Sequence, residues 1–359
     1  MKRIEFHDRE QEMKEITDIL DAEPSLITFI YGPINSGKTA LVTHLIDQLP
    51  DGYVVFYINL RTKFLASYDD FIESLFEVGM EANAAKRKRR ETLAELVSSA
   101  TKVTGIPITS EFIDYVFKDN KPKNAFSYMT KLFEEAVATD KQPVLILDEL
   151  QKIGDVNVNG SLIYELFNFF IDLTKELHLC HVFVVTSDSI FIERVYSEAM
   201  LSGRCEYLRV DDFGYTQTIT FLDGYGFDRQ EKEIIWQGVG GKPVSLVKLI
   251  NAKVSGKNIK DVINSMFTLR TGEIEARLKI VNELGDELVV GDKYFDVNHG
   301  KLVSTLKMFA SRDEVGADEI DEISKRYLVK ENILFADPLT KMIKPQSQLD
   351  LLAIRAVVA

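Results

Sequence analysis

Eight consecutive residues, Gly32-Pro33-Ile34-Asn35-Ser36-Gly37-Lys38-Thr39, carry the spacing G-x-x-x-x-G-K-[ST]. That spacing suits a phosphate chain. Several backbone N–H groups must point into one concavity, and glycine permits the turn. A helix opening at Lys38 and running through Ala40 would aim its N-terminal dipole at the anion. Lys38 would reach the β- and γ-phosphates, and the Thr39 hydroxyl would hold Mg²⁺. Val144-Leu145-Ile146-Leu147-Asp148-Glu149 delivers two acids at the end of an apolar run. Phosphoryl chemistry needs one carboxylate on the metal, here Asp148, and one beside the attacking water, here Glu149. Thr186-Ser187-Asp188-Ser189 closes another apolar run. Thr186 and Ser187 could sense a γ-phosphate, or Ser187 and Asp188 could cap a helix. Arg204, in Leu201-Ser202-Gly203-Arg204, could reach a phosphate in its own chain or a neighbour's, or lie solvated.

These residues need a scaffold that ends several strands at one place. Five apolar runs read as strands: Ser25 to Tyr31, Tyr53 to Leu60, Pro143 to Leu147, His181 to Val185 and Glu206 to Val210. Helical patterns alternate with them, over Phe6 to Leu20, Ala40 to Leu49 and Leu162 to Leu177. A mostly helical stretch runs to about Asp140, with Lys102 to Ile108 expected as a short hairpin arm. Apolar strands alternating with helices imply an α/β fold with a parallel sheet covered on both faces. After Asp211 the pattern becomes helical, a small lid domain over 211–278 following a core over 1–210. The last section, 279–359, shows helices at about 301–311 and 318–328. A hairpin over 332–344 follows them, turning at Asp337-Pro338. Helix, helix and hairpin together predict a winged helix.

The chain has 359 residues, 45% of them apolar, and a net charge of −13 from 43 basic and 56 acidic side chains. That composition excludes disordered and fibrous classes and speaks against a protein that coats nucleic acid throughout. Two cysteines, Cys180 and Cys205, build no disulfide framework, so a reducing, cytoplasmic setting is expected. No signal peptide or membrane-spanning helix is expected, because the opening residues carry no apolar stretch and longer apolar runs are broken by charge.

In order along the chain, five landmarks resemble the archaeal ATPases of the STAND class, a branch of the AAA+ superfamily of P-loop NTPases. They are Phe6-His7-Asp8-Arg9-Glu10-Gln11-Glu12, the loop at 32–39, Asp148-Glu149, Gly203-Arg204 and Gly240-Gly241-Lys242-Pro243. The first is similar to an F-x-D-R-E-x-E signature, and the resemblance implies that Phe6 and Arg9 flank adenine. The last is similar to a G-x-P motif, and it implies that Pro243 packs on the base. Glu331 to Phe335 and Pro345-Gln346-Ser347 also look like this group's tail. ATP or ADP with Mg²⁺ is the implied cofactor. Two departures imply slow turnover and a switch role: the helix after Pro243 offers Lys248 where related initiators carry arginine, and Thr186-Ser187-Asp188 replaces a sensor asparagine.

Other signals carry two readings each. Lys86-Arg87-Lys88-Arg89-Arg90 is either a site for nucleic acid or an acidic partner, or a solvated helix face. The C-terminal section could make the protein a DNA-associated regulator whose nucleotide is structural. Against this, Asp318-Glu319-Ile320-Asp321-Glu322 is a poor face for phosphates, and residues 299–359 hold nine basic and nine acidic side chains. Docking within the molecule or on a protein is the favoured reading. His178, Cys180 and His181 cannot easily converge from one strand on a metal, and Trp236 and Phe167, Phe169 and Phe170 read as core.

Overall fold

The computed structural model describes residues 6–76, 93, 97, 102–108, 110–117, 121–155, 161–198, 201–290 and 293–359. Lys86 to Arg90 lie outside the described residues. Six parallel strands form the main sheet: β1 (Ile27–Tyr31), β2 (Tyr53–Asn59), β3 (Lys102–Thr104), β4 (Gln142–Asp148), β5 (His181–Thr186) and β6 (Cys205–Arg209). Their order is β3-β2-β4-β5-β1-β6. The expected hairpin arm is corrected. Residues 102–104 form the edge strand, parallel to β2 with Val55 opposite Lys102, because the outer edge of β2 has ladder groups to pair.

Both faces of the sheet are apolar, and successive residues alternate between them. Phe29, Phe56, Leu145 and Val184 join helices Tyr68–Leu75, Lys121–Ala138 and Ser161–Ile171 on one side. Ile30, Val55, Ile146 and Phe183 join helices Glu10–Leu20 and Lys38–Gln48 on the other. Phe29, Phe56, Phe167 and Phe170 are fully buried, as expected of the last two. Each such ring contributes ~1.5–3 kcal/mol over an exposed one. Trp236 departs from the core expectation: it is half-buried, edge-on to Tyr215 at 5.3 Å.

Helices Tyr215–Asp223, Arg229–Val239 and Pro243–Val254 pack into a separate apolar cluster beside the core. Helix Ile259–Leu284 then serves two clusters. Its Ile259, Ile263 and Met266 belong to the small helical cluster, while Ile274, Leu278 and Val281 belong to the C-terminal one. The C-terminal part adds a hairpin of β7 (Glu287–Val290) and β8 (Lys293–Asp296). Helices His299–Lys307, Glu322–Lys330 and Gln348–Val358 surround an antiparallel sheet of β9 (Val315–Gly316), β10 (Leu334–Ala336) and β11 (Met342–Pro345), ordered β10-β11-β9. The helix expected at 318–328 starts later, because the Asp321 carboxylate accepts the Ser324 N–H at 3.1 Å and caps it there.

The C-terminal part is fixed to the core. Phe335 stacks on Tyr31 at 6.4 Å. Asp337, 4% exposed, accepts from Tyr31 Oη at 3.1 Å and pairs with Arg209 at 2.6 Å. Lys344 pairs with Asp211 at 2.7 Å.

Candidate nucleotide site

In a sheet of this order, the carboxyl ends of β1 and β4 flank that of β5, and open parallel sheets bind ligands at that end. The chain leaves β1 at Tyr31 and turns at Gly32, where a Cβ would stand 2.1 Å from the Val210 carbonyl oxygen. Asn35 and Gly37 both have positive φ, 61° and 98°, which folds the loop over the start of helix Lys38–Gln48. Lys38 Nζ donates to Gly32 O at 3.0 Å and Pro33 O at 2.8 Å, with Ser36 Oγ at 3.4 Å. Burial, and next the nearby Lys242 cation, push the Lys38 amine down to about 7.

Thr39 Oγ1 donates to Asp148 Oδ2 at 2.8 Å, which joins the two predicted metal-binding residues. The same oxygen accepts from Tyr57 Oη at 2.9 Å and Asn59 Nδ2 at 3.3 Å. Asp148 is 1% exposed, and desolvation raises its pKa despite these donors. A hydroxyl and a carboxylate, both hard oxygen donors, fit a Mg²⁺ that would take its other ligands from phosphate and water.

Glu149 turns out of β4 at φ 61°, its N–H bonded to Val185 O at 3.0 Å. One carboxylate oxygen pairs with the Arg61 guanidinium, and the other accepts from Gln151 Nε2 at 2.6 Å. Gln151 Oε1 in turn accepts from Thr186 Oγ1 at 2.8 Å. Thr186 is therefore fully buried behind Glu149, and its neighbour Ser187 faces the cleft.

The cleft measures about 240 Å³. Asn35, Gly37, Lys38, Thr39 and Ala40 line it, whereas Gly32, Pro33, Ile34 and Ser36 of the same loop do not. Arg61, Glu149 and Ser187 form one wall. Pro243, Val244 and Val247 form the other, on the helix that Pro243 opens. Lys248 is exposed on that helix and does not line the cleft. Gly241 sets the approach of this helix: a Cβ there would lie 1.8 Å from Phe213 O.

Phe6 and Arg9 stand apart from the cleft lining. Phe6 stacks on His44 at 4.0 Å. Arg9, 4% exposed, donates to Ser36 O and Asp211 O, both at 2.7 Å, and lies over the Phe213 ring at 4.6 Å. It links the loop at Ser36 to Asp211, two residues after the end of β6. Arg204 is not brought to this site in its own chain. Its carbonyl accepts the Ile27 N–H at the start of β1, while the phosphate loop follows the end of β1, roughly 16 Å away at strand rise.

Sequence reasoning passed over Arg61, Tyr57, Asn59 and Gln151. Asn59 and Arg61 carried a signal: both lie at the carboxyl end of the strand paired with β4, and Asn59 is in register with Asp148.

A glycine loop between β1 and a helix, with Lys38, Thr39, Asp148 and Glu149 gathered at the strand ends, defines a P-loop ATP-binding protein. Residues 6–249 match the model of the ATPase domain predominantly from Archaea, so the chain belongs to that archaeal ATPase family. Residues 260–358 match the C-terminal domain of the "Uncharacterized ATP-binding protein MJ1010-like" family. An uncharacterized ATP-binding protein of Methanocaldococcus jannaschii is 43% identical over 99% of this chain and 97% of its own. Another, from Pyrococcus abyssi, is 45% identical over 98% of both chains. The Walker-type ATPase paby2304 of Pyrococcus abyssi has the same fold, with TM-score 0.66 and 15% identity over 99% of this chain and 97% of that one.

Proposed function

We propose that this protein is a Mg²⁺-dependent ATPase of the STAND type, hydrolysing slowly and acting as a nucleotide-controlled switch. The observation that carries the reading is that Lys38, Thr39 and Glu149 line one cleft with Pro243, Val244 and Val247, while Asp148 is bonded to Thr39 behind it. Backbone N–H groups of the loop and the Lys38 amine would hold the phosphates, and Thr39 and Asp148 would hold Mg²⁺. The ion supplies charge neutralisation across the phosphate oxygens when bound. Glu149 orients a water and accepts its proton. Pro243, Val244 and Val247 offer an apolar surface to the adenine.

Slow turnover follows from how Glu149 is held. Arg61 and Gln151 each take one acceptor site on its two oxygens, so an attacking water must share the carboxylate with both. Lys248 of the helix that Pro243 opens is exposed and does not line the cleft, so it supplies no cation there. A ligand touching two domains biases the angle between them by its differential affinity for the two arrangements.

The C-terminal part is read as a winged helix that docks on protein. Its helix Glu322–Lys330 turns Lys325, 8% exposed, toward Glu193 of the core helix at 3.6 Å and Glu322 at 2.8 Å. Arg326 is paired with Glu322 as well. Cations neutralised within the chain are poor phosphate ligands, which favours a protein partner over DNA.

The test is single-turnover ATP hydrolysis with Mg²⁺, wild type beside Glu149→Gln. The expected result is equal ATP affinity and a loss of about 100-fold or more in the variant's hydrolysis. Equal hydrolysis in both would overturn the assignment of Glu149, and no affinity for adenine nucleotide would overturn the reading whole.

A further inference from the structure

Ile34, the third residue of the phosphate loop, is held by two other parts of the molecule. Its N–H donates to Gln346 Oε1 at 3.0 Å. Its C=O accepts from Lys242 Nζ at 2.8 Å, and that amine also pairs with Asp212 at 3.1 Å. Gln346 follows β11 in the C-terminal part; Lys242 precedes the helix that walls the cleft. The core, the helical domain and the C-terminal domain therefore meet on one loop residue.

Gln346 is 3% exposed and fixed at both ends of its amide. Its Nε2 donates to Leu334 O at 2.8 Å, and its own N–H donates to Ile333 O at 3.2 Å. Rotating it away would take these partners from the part-buried Ile34 N–H and from the buried Leu334 carbonyl, which opposes the rotation. The residue after Ile34 is Asn35, which lies in the cleft at positive φ. Moving Ile34 turns the Asn35 peptide, and with it the N–H groups that face a phosphate.

We infer that Gln346 is a positioning residue for the phosphate loop: the C-terminal domain holds the Ile34 amide and so sets how firmly the loop retains a nucleoside diphosphate. The inference rests on reading the cleft as the phosphate site. Coupling of this kind runs both ways, so a partner that lifts the C-terminal domain loosens the nucleotide, and a bound nucleotide alters the docking of that domain.

The test uses the full chain with Mg²⁺ and a fluorescent methylanthraniloyl ADP, chased with unlabelled ADP. Gln346→Met keeps the length of the side chain and removes both hydrogen bonds. Release is expected to become about five- to tenfold faster, the factor for one net hydrogen bond. Lys344→Met is the comparison, because it removes a contact between β11 and Asp211 without touching the loop. It is expected to change release less than about twofold. Unchanged release in Gln346→Met, or equal acceleration in both variants, overturns the inference, since equal effects would mean that loosened docking alone is responsible. Amide hydrogen exchange of the wild type decides the matter if Gln346→Met does not fold. Saturating ADP should change protection across residues 342–347, and no change there overturns the inference. A wild type that binds no ADP at all removes the phosphate-site reading instead, and the inference falls with it.

Discussion

The Arg61 guanidinium is paired with the Glu149 carboxylate at the wall of the cleft, with Arg61 62% exposed and Glu149 13% exposed. A pair with one partner that open to solvent is weak, ~0.2–1 kcal/mol. On the proposed reading it still competes with a water for the Glu149 carboxylate. Arg61→Ala is expected to raise basal ATP turnover up to about fivefold, which is that energy expressed as a rate. Steady-state phosphate release reads it. A fall in turnover would instead place Arg61 on the phosphate in the transition state.

Lys38 is pushed down to about 7 by burial and by the Lys242 cation. At pH 8 the amine of the empty protein is thus largely neutral. A bound phosphate favours the charged form, so ADP binding at pH 8 takes up as much as about one proton. Calorimetric binding enthalpies in buffers of different ionisation enthalpy measure this uptake directly. Proton release, or none, would show that the amine is already charged.

Arg9 bridges Ser36 O and Asp211 O from a buried position. Arg9→Ala leaves two carbonyls unpaired and should cost roughly 3 kcal/mol of unfolding free energy. Loss of this contact to the phosphate loop is also expected to weaken binding of ADP and of bare pyrophosphate alike. A loss confined to ADP would place Arg9 against the adenine, as the signature at residues 6–12 implied.

His181 sits 3% exposed on β5, and burial lowers its pKa to about 4, with its Nε2 unpartnered. A histidine with a folded pKa below the unfolded one favours the folded state above the unfolded value. That contribution is present above pH 6.5 and is lost as pH falls toward 4. His181→Val should therefore flatten the acid limb of the stability profile by roughly 2 kcal/mol between those limits. Urea midpoints across that range check it; an unchanged slope would mean that His181 does not control it.

Arg204 lies at the opposite end of the sheet from the phosphate loop. Arg204→Ala is expected to leave ATP affinity and turnover within about twofold in dilute protein. A loss that grows with protein concentration would show that Arg204 reaches the site of a second copy.

The strand-loop-helix at 25–49, the acids at the end of β4 and the apolar alternation of a sheet covered on both faces were all readable from neighbouring residues along the chain. These are local: glycine spacing, side-chain period and strand-end acids act within a few residues. The helices Tyr215–Asp223, Arg229–Val239 and Pro243–Val254 and the two C-terminal strands were legible for the same reason. The edge pairing of 102–104 was not, because a short strand takes its direction from the neighbour it completes. Nor was the burial of Thr186, which follows from β5 lying between β4 and β1. Arg61, Gln151 and Gln346 gained their partners from residues 88, 35 and 312 positions away. Only the folded chain brings such pairs together, since hydrogen bonds and ion pairs depend on distance in space. A motif records the residues beside one another along the chain.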